Sequence, residues 1–119
     1  MTAYGYAGQV LYVDLTRGTT KKEPLDPEWA KKYIGGFGFT VRLLYEQLKP
    51  GADALSPDNV IVLGAGALGA TMALGCSRIS AATKFPETGA VGSANGSLSF
   101  APRLKLAGYD DVKVGDRLE

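Results

Sequence analysis

The stretch Gly75–Asp110, GCSRISAATKFPETGAVGSANGSLSFAPRLKLAGYD, joins two short apolar runs to a glycine- and serine-rich segment and a helical piece. Ser77 to Thr83 alternates about Ile79 and predicts a strand, with a further strand over Ala90 to Ala94. Leu98 to Leu106 predicts a helix, with Leu98, Phe100 and Leu104 available for packing, and Pro102 requires that it begin close to Phe100 or be irregular. Between them, Gly92-Ser93-Ala94-Asn95-Gly96-Ser97 reads as a loop whose small residues keep backbone N–H groups bare. Such a loop ahead of a helix start suits a phosphate, because glycine lets the backbone approach a ligand and the amides point at negative charge. Arg78, seventeen residues before Asn95, offers a cation. The same residues also read as a plain turn capped by Ser97 or Ser99. No G-x-x-x-x-G-K-[ST] or G-x-G-x-x-G is present, so spacing leaves both readings open.

Upstream, Gln9 to Leu15 alternates and a Thr16-Arg17-Gly18-Thr19 turn returns the chain into Thr20 to Glu23, which reads as a hairpin. Asp26-Pro27-Glu28 is a helix start: a side-chain cap, a preset φ and a negative charge at the positive end of the dipole. Gly35-Gly36 stops that helix. A second should span Phe39 to Leu48, burying Val41, Leu44, Tyr45 and Leu48, with Arg42 and Glu46 as a solvated pair on its outer face. Asn59 to Leu63 should be an interior strand and Asp111 to Val114 the last one. Asp110 and Asp111 are expected to be solvated, as are Lys31 and Lys32. Tyr4, Tyr6, Tyr12 and Tyr109 read as rim or core residues rather than catalytic phenols. The order is that of a single α+β domain over residues 1–119, with a mixed or antiparallel sheet and about three helices.

Composition narrows the chemistry. A net charge of +1, with no basic stripe, argues against nucleic acid or a charged membrane surface as partner. The chain has no histidine and one cysteine, which excludes Ser-His-Asp, Cys-His and His-cluster zinc sites and leaves Cys76 as a small apolar filler. One cysteine also falls short of the roughly four thiolates of a cubane cluster. No secretory pattern opens the sequence, and the weakly polar tract Val60–Cys76 is too short and too glycine-rich to span a bilayer. A cytoplasmic setting is the expectation.

Five ordered blocks carry a family likeness: Tyr6–Gly18 (YAGQVLYVDLTRG), Gly35-Gly36-Phe37-Gly38, Leu55–Asn59, the pair Gly75-Cys76-Ser77-Arg78 and Ala94-Asn95-Gly96, and Leu104–Asp110 (LKLAGYD). Together they resemble the first domain of the aldehyde ferredoxin oxidoreductases, tungsten enzymes whose N-terminal region cradles a bis-pyranopterin. The resemblance implies half of a duplicated pterin-cradling domain, the first repeat. It implies that Arg78 contacts a pterin phosphate and that Asn95 lies where backbone meets the phosphates and a bridging Mg, with Ala94, Gly96 and Ser97 as neighbours. No residue of this chain is implied to be catalytic. For the full-length family it implies tungsten or molybdenum, a 4Fe-4S cluster held outside this stretch, aldehyde oxidation to carboxylic acid, and ferredoxin as electron acceptor. A homodimer that brings two half-domains together is a further expectation, and a stand-alone binding or assembly module that retains the fold is the alternative. Phe37 stands where the family has arginine, and Arg103 where its signature has glutamate.

Overall fold

The computed structural model describes residues 5–116, so Tyr4 lies outside the described residues. Nine elements follow one another: β1 Gln9–Asp14, β2 Thr19–Pro24, α1 Pro27–Tyr33, α2 Phe37–Gln47, β3 Val60–Ala65, β4 Ile79–Lys84, β5 Val91–Gly96, α3 Phe100–Leu106 and β6 Asp111–Gly115. The strands form one sheet in the order β2-β1-β6-β3-β4-β5. β1 and β6 run parallel, and every other pair is antiparallel. The expected α+β class and the mixed sheet with three helices are therefore what the chain forms.

Local chemistry accounts for the boundaries. Gly18 takes the positive φ that the β1–β2 turn needs, and Asp14 Oδ1 accepts the Arg17 N–H at 2.9 Å inside that turn. Asp26 caps α1 by accepting the Glu28 N–H at 2.9 Å, with Pro27 in the first turn. Ile34, Gly35 and Gly36 all have positive φ, which breaks α1 and redirects the chain into α2.

The α2 stripe has helical spacing and keeps Leu44 and Leu48 of the expected members, but its other buried residues differ. Phe39, Thr40, Leu43 and Leu44 are buried, whereas Tyr45 is 79% exposed. The helix starts two residues early, at Phe37, and lays its Phe39/Leu43 side on the sheet. The core joins Leu43 and Leu44 to Val10, Val60, Val62 and Ala82, with Tyr12, Leu25, Trp29 and Leu48 packed against them. Arg42 does pair with Glu46, but its guanidinium also lies over the rings of Trp29, Tyr33 and Tyr45 at 5.6–5.8 Å. The expected pair thus forms with Glu46 exposed, and the Arg42 guanidinium is additionally set among aromatic rings.

Around the glycine-rich segment the expected strand forms, and three other expectations are corrected. The strand expected over Ala90 to Ala94 forms and runs on to Gly96 at the sheet edge, paired with β4 in the register Ile79↔Gly96 to Lys84↔Val91, so Gly92 to Gly96 are strand rather than the expected loop. Ser99 occupies the N-cap position of α3 without a side-chain capping bond. Leu98 and Phe100 are exposed and Ala101 is the buried residue of α3. The physical reason is lateral: β4 offers free amides and carbonyls along one side, and a small-residue segment satisfies them as readily as a turn would.

Candidate functional site at one end of the sheet

β3 ends, β4 begins, β5 ends and β6 begins at the same end of the sheet, as the pairs Gly64↔Asp111, Ala65↔Ile79 and Ile79↔Gly96 require. The α2 entry joins them, because the Gly36 N–H donates to Ala65 O at 3.1 Å. Gly35-Gly36-Phe37-Gly38, the 66–78 connection, Ala94-Asn95-Gly96 and Leu104–Asp110, far apart in the chain, are thus gathered at one end.

Asp110 holds that end together. Its side chain is fully buried and accepts the backbone N–H groups of Ala7 and Gly8 at 3.0 and 2.7 Å. Lys105 Nζ donates to the same carboxylate and to Gly5 O at 2.6 Å, and lies 5.5 Å from the Tyr6 ring centre. Tyr6 in turn donates its hydroxyl to Ile34 O at 2.6 Å. The segment LKLAGYD is therefore a clamp: a lysine and an aspartate five residues apart pin residues 5–8 against α3 and the start of β6. Asp110 is not solvated, because the Gly5–Gly8 backbone wraps over it.

Asp111 departs from expectation further. It is fully buried, and neither carboxylate oxygen has a hydrogen-bond partner. A Cβ on Gly64 would fall 2.1 Å from Asp111 Oδ1 and 2.9 Å from Gly36 O, so the carboxyl occupies the space that glycine leaves beneath α2. Burial pushes this carboxyl well above the ordinary value of 3.8; the neighbouring Asp110 raises it further and Lys105 lowers it. Nothing in D-V-K-V marks the residue as interior, since polar-apolar alternation reads as a half-exposed strand. Tyr12 is pushed up to about 12 by burial and then by Glu23, so its phenol stays protonated at neutral pH, consistent with a packing role.

Arg78 and Asn95 flank the open corner of this end. Arg78 directly precedes β4 and is exposed, with no hydrogen bond, ion pair or ring contact among the described residues. Ser80 pairs with Asn95 in the ladder, and its hydroxyl lies 3.2 Å from Asn95 Oδ1. Arg78 directly precedes Ile79, whose ladder partner is Gly96, so it lies at the sheet end that Asn95 also reaches. Ala94, Asn95, Gly96 and Ser97 are all exposed. The corner thus offers a guanidinium without a carboxylate, an amide side chain, a serine hydroxyl and the outer edge of β5. These donors suit an anion. Among the described residues, no three His, Cys, Asp or Glu side chains gather as a metal site.

A family model described as aldehyde ferredoxin oxidoreductase, N-terminal domain, matches residues 10–119. The chain belongs to this family. A tungsten-containing aldehyde ferredoxin oxidoreductase of Pyrococcus furiosus is 39% identical over 116 residues, covering 98% of this chain and 19% of that protein. The corresponding enzyme of Thermococcus kodakarensis is 37% identical over the same shares. Another P. furiosus protein, an aliphatic sulfonate oxidoreductase WOR-like subunit, is 34% identical over 93% of the chain. Among solved structures, a chain of the active site complex BamBC of benzoyl coenzyme A reductase, with 1,5 dienoyl-CoA, superposes with a TM-score of 0.90. It is 35% identical over 94% of this chain and 17% of its own. This aldehyde ferredoxin oxidoreductase domain therefore spans about a fifth of the length of the relatives it matches.

Proposed function

We propose that this domain holds the phosphate end of a tungsten or molybdenum bis-pyranopterin, with Arg78 and Asn95 as the principal contacts and Ala94, Gly96 and Ser97 lining the approach. What supports the reading is an exposed Arg78, unpaired among the described residues, beside Ile79, the ladder partner of Gly96, at the sheet end that Asn95 also reaches. Arginine presents a planar fork to phosphate oxygens and keeps its charge at any working pH. Mg, a hard cation, would be held there by phosphate oxygens and by backbone oxygen at Asn95, not by a carboxylate cluster.

When bound, the metal supplies the redox chemistry, and the protein supplies position and charge. Within a complete enzyme the reaction is aldehyde oxidation to carboxylic acid, with electrons passed to ferredoxin through a 4Fe-4S cluster held outside this stretch, in a cytoplasmic setting. A second copy of the chain supplies the other half of the cradle.

The test is metal and pterin analysis of the protein purified from a tungsten-fed host. Near-equimolar tungsten and pterin are expected, with loss of most of both in Arg78→Ala and partial retention in Arg78→Lys. Protein free of both would overturn the reading and leave a binding or assembly module that keeps the fold alone.

A further inference from the structure

Between α1 and α2 the backbone takes a conformation that a β-branched residue rarely adopts. Ile34 has φ 66° and ψ −50°, and the Gly35 N–H donates across it to Tyr33 O at 2.7 Å. That is a γ-turn of the strained hand, whose centre lies near about +75° and −65°. Positive φ crowds Cβ against the backbone, so for isoleucine it persists only where the surroundings fix it.

Tyr6 supplies such a fixture. Its hydroxyl donates to Ile34 O at 2.6 Å, with Ala30 O farther off at 3.3 Å. The residue is itself tied on both sides: Lys105 Nζ donates to Gly5 O at 2.6 Å, and Asp110 accepts the Ala7 N–H at 3.0 Å. Its ring lies 5.5 Å from Lys105 Nζ and 6.1 Å, centre to centre, from the Phe39 ring. The hydroxyl is thus a fixed point from which the turn hangs.

What the turn touches leads to the candidate site. The Gly36 N–H donates to Ala65 O at 3.1 Å, and a Cβ on Gly35 would fall 3.2 Å from Ala67 N. From the other side, a Cβ on Gly5 would fall 2.8 Å from Ala67 O. The start of the 66–78 connection is therefore held between Gly5 and the Gly35-Gly36 turn. Its returning leg is close as well, since a Cβ on Gly69 would stand 3.6 Å from Cys76 O, and Arg78 comes two residues after Cys76.

From these contacts we infer that Tyr6 is a positioning residue: its hydroxyl holds Ile34 in the strained turn, and that turn sets the base of the connection that carries Arg78. The hold is internal to the domain; its consequence for ligand binding rests on the cofactor reading above. Such a hold has a specific signature. The hydroxyl matters to the turn only while residue 34 bears a side chain that resists positive φ, and glycine, which takes that φ readily, makes it dispensable.

The test is solution NMR of the full 119-residue chain and two variants. Tyr6→Phe keeps the ring and removes the hydroxyl; Ile34 is expected to leave positive φ, read from its backbone coupling and Cα shift, and the Ala67 and Arg78 amide resonances are expected to move. In Tyr6→Phe/Ile34→Gly both resonances are expected to return to their wild-type positions. A loss of mere packing would not be repaired by glycine at residue 34. Ile34 staying at positive φ in Tyr6→Phe, shifts that do not reach Ala67 and Arg78, or a double variant that keeps the shifts would overturn the proposal. If Tyr6→Phe alone does not fold, the double variant decides: a folded chain supports the hold and an unfolded one overturns it. Tungsten and pterin content from a tungsten-fed host should fall in Tyr6→Phe and recover in the double variant; unchanged content beside a moved Arg78 resonance would overturn the link to binding. A wild-type chain carrying neither overturns the cofactor reading, and the resonances still decide on the hold.

Discussion

Asp111 sits against the Cα of Gly64 with neither carboxylate oxygen hydrogen-bonded, an arrangement that only the neutral acid tolerates well in an apolar interior. Because burial raises its folded-state pKa above the ordinary 3.8, the folded chain keeps a proton that the unfolded chain releases. Its contribution to stability is full below about pH 4 and is lost as pH rises through the raised folded value. Asp111→Asn should therefore match the wild type near pH 4 and exceed it increasingly above, by on the order of 1–3 kcal/mol. Urea midpoints across pH 4–9 would read this, and parallel curves would contradict it.

Lys105 is the reverse case, a buried cation whose partner is present. Lys105→Met leaves the Asp110 carboxylate with its two backbone donors only, and should cost about 3–5 kcal/mol. A loss below about 1 kcal/mol would show that the clamp is not a major contributor. Residues 5–8 should also gain fast amide exchange in that variant, since Asp110 receives the Ala7 and Gly8 N–H groups.

At the scale of elements, the contact between α2 and β3 depends on a missing side chain. A Cβ at Gly64 meets Asp111 Oδ1 at 2.1 Å, Thr40 Cγ2 at 2.7 Å and Gly36 O at 2.9 Å. Two of those atoms belong to α2 or its entry, so Gly64→Ala must lift the helix from the strand. A loss of about 1–3 kcal/mol or more is expected from overpacking. Adding Asp111→Ala should restore part of it by removing the nearest atom, and a strictly additive double variant would argue that the carboxyl is not what fills the space.

Helix ends at this scale were legible. Asp26-Pro27 opens α1, Gly35-Gly36 closes the turn after it, and Gly108 follows α3, each through local chemistry. In the glycine-rich segment the strand was legible as far as Ala94 but its run through Asn95 and Gly96 was not, because GSANGS carries no periodic signal and β4 decides its conformation from outside.

Across the whole molecule, one core ties β1, α2, β3 and β4 through Val10, Leu43, Leu44, Val60, Val62 and Ala82, and Trp29 packs on it. Leu43→Ala should cost about 2–5 kcal/mol. Unfolding followed by Trp29 fluorescence and by circular dichroism should shift together; separated transitions would mean that the core is not a single cooperative unit.

The order of elements, the α+β class, the α1 cap and the family likeness were readable from the sequence, because periodicity, glycine, proline and capping residues act over a few positions. So were Arg78 and Asn95 as candidates, through the blocks that carry the likeness. Only the tertiary structure decided that Asp110 is a clamp, that Asp111 lies unpaired beneath α2 and that β5 is an edge strand among the described residues. Each depends on which strand becomes a neighbour: β6 is enclosed by β1 and β3, and β5 has β4 on one side alone. Neighbours of that kind are chosen by burial and hydrogen bonding summed over the whole sheet, which no short window of sequence contains.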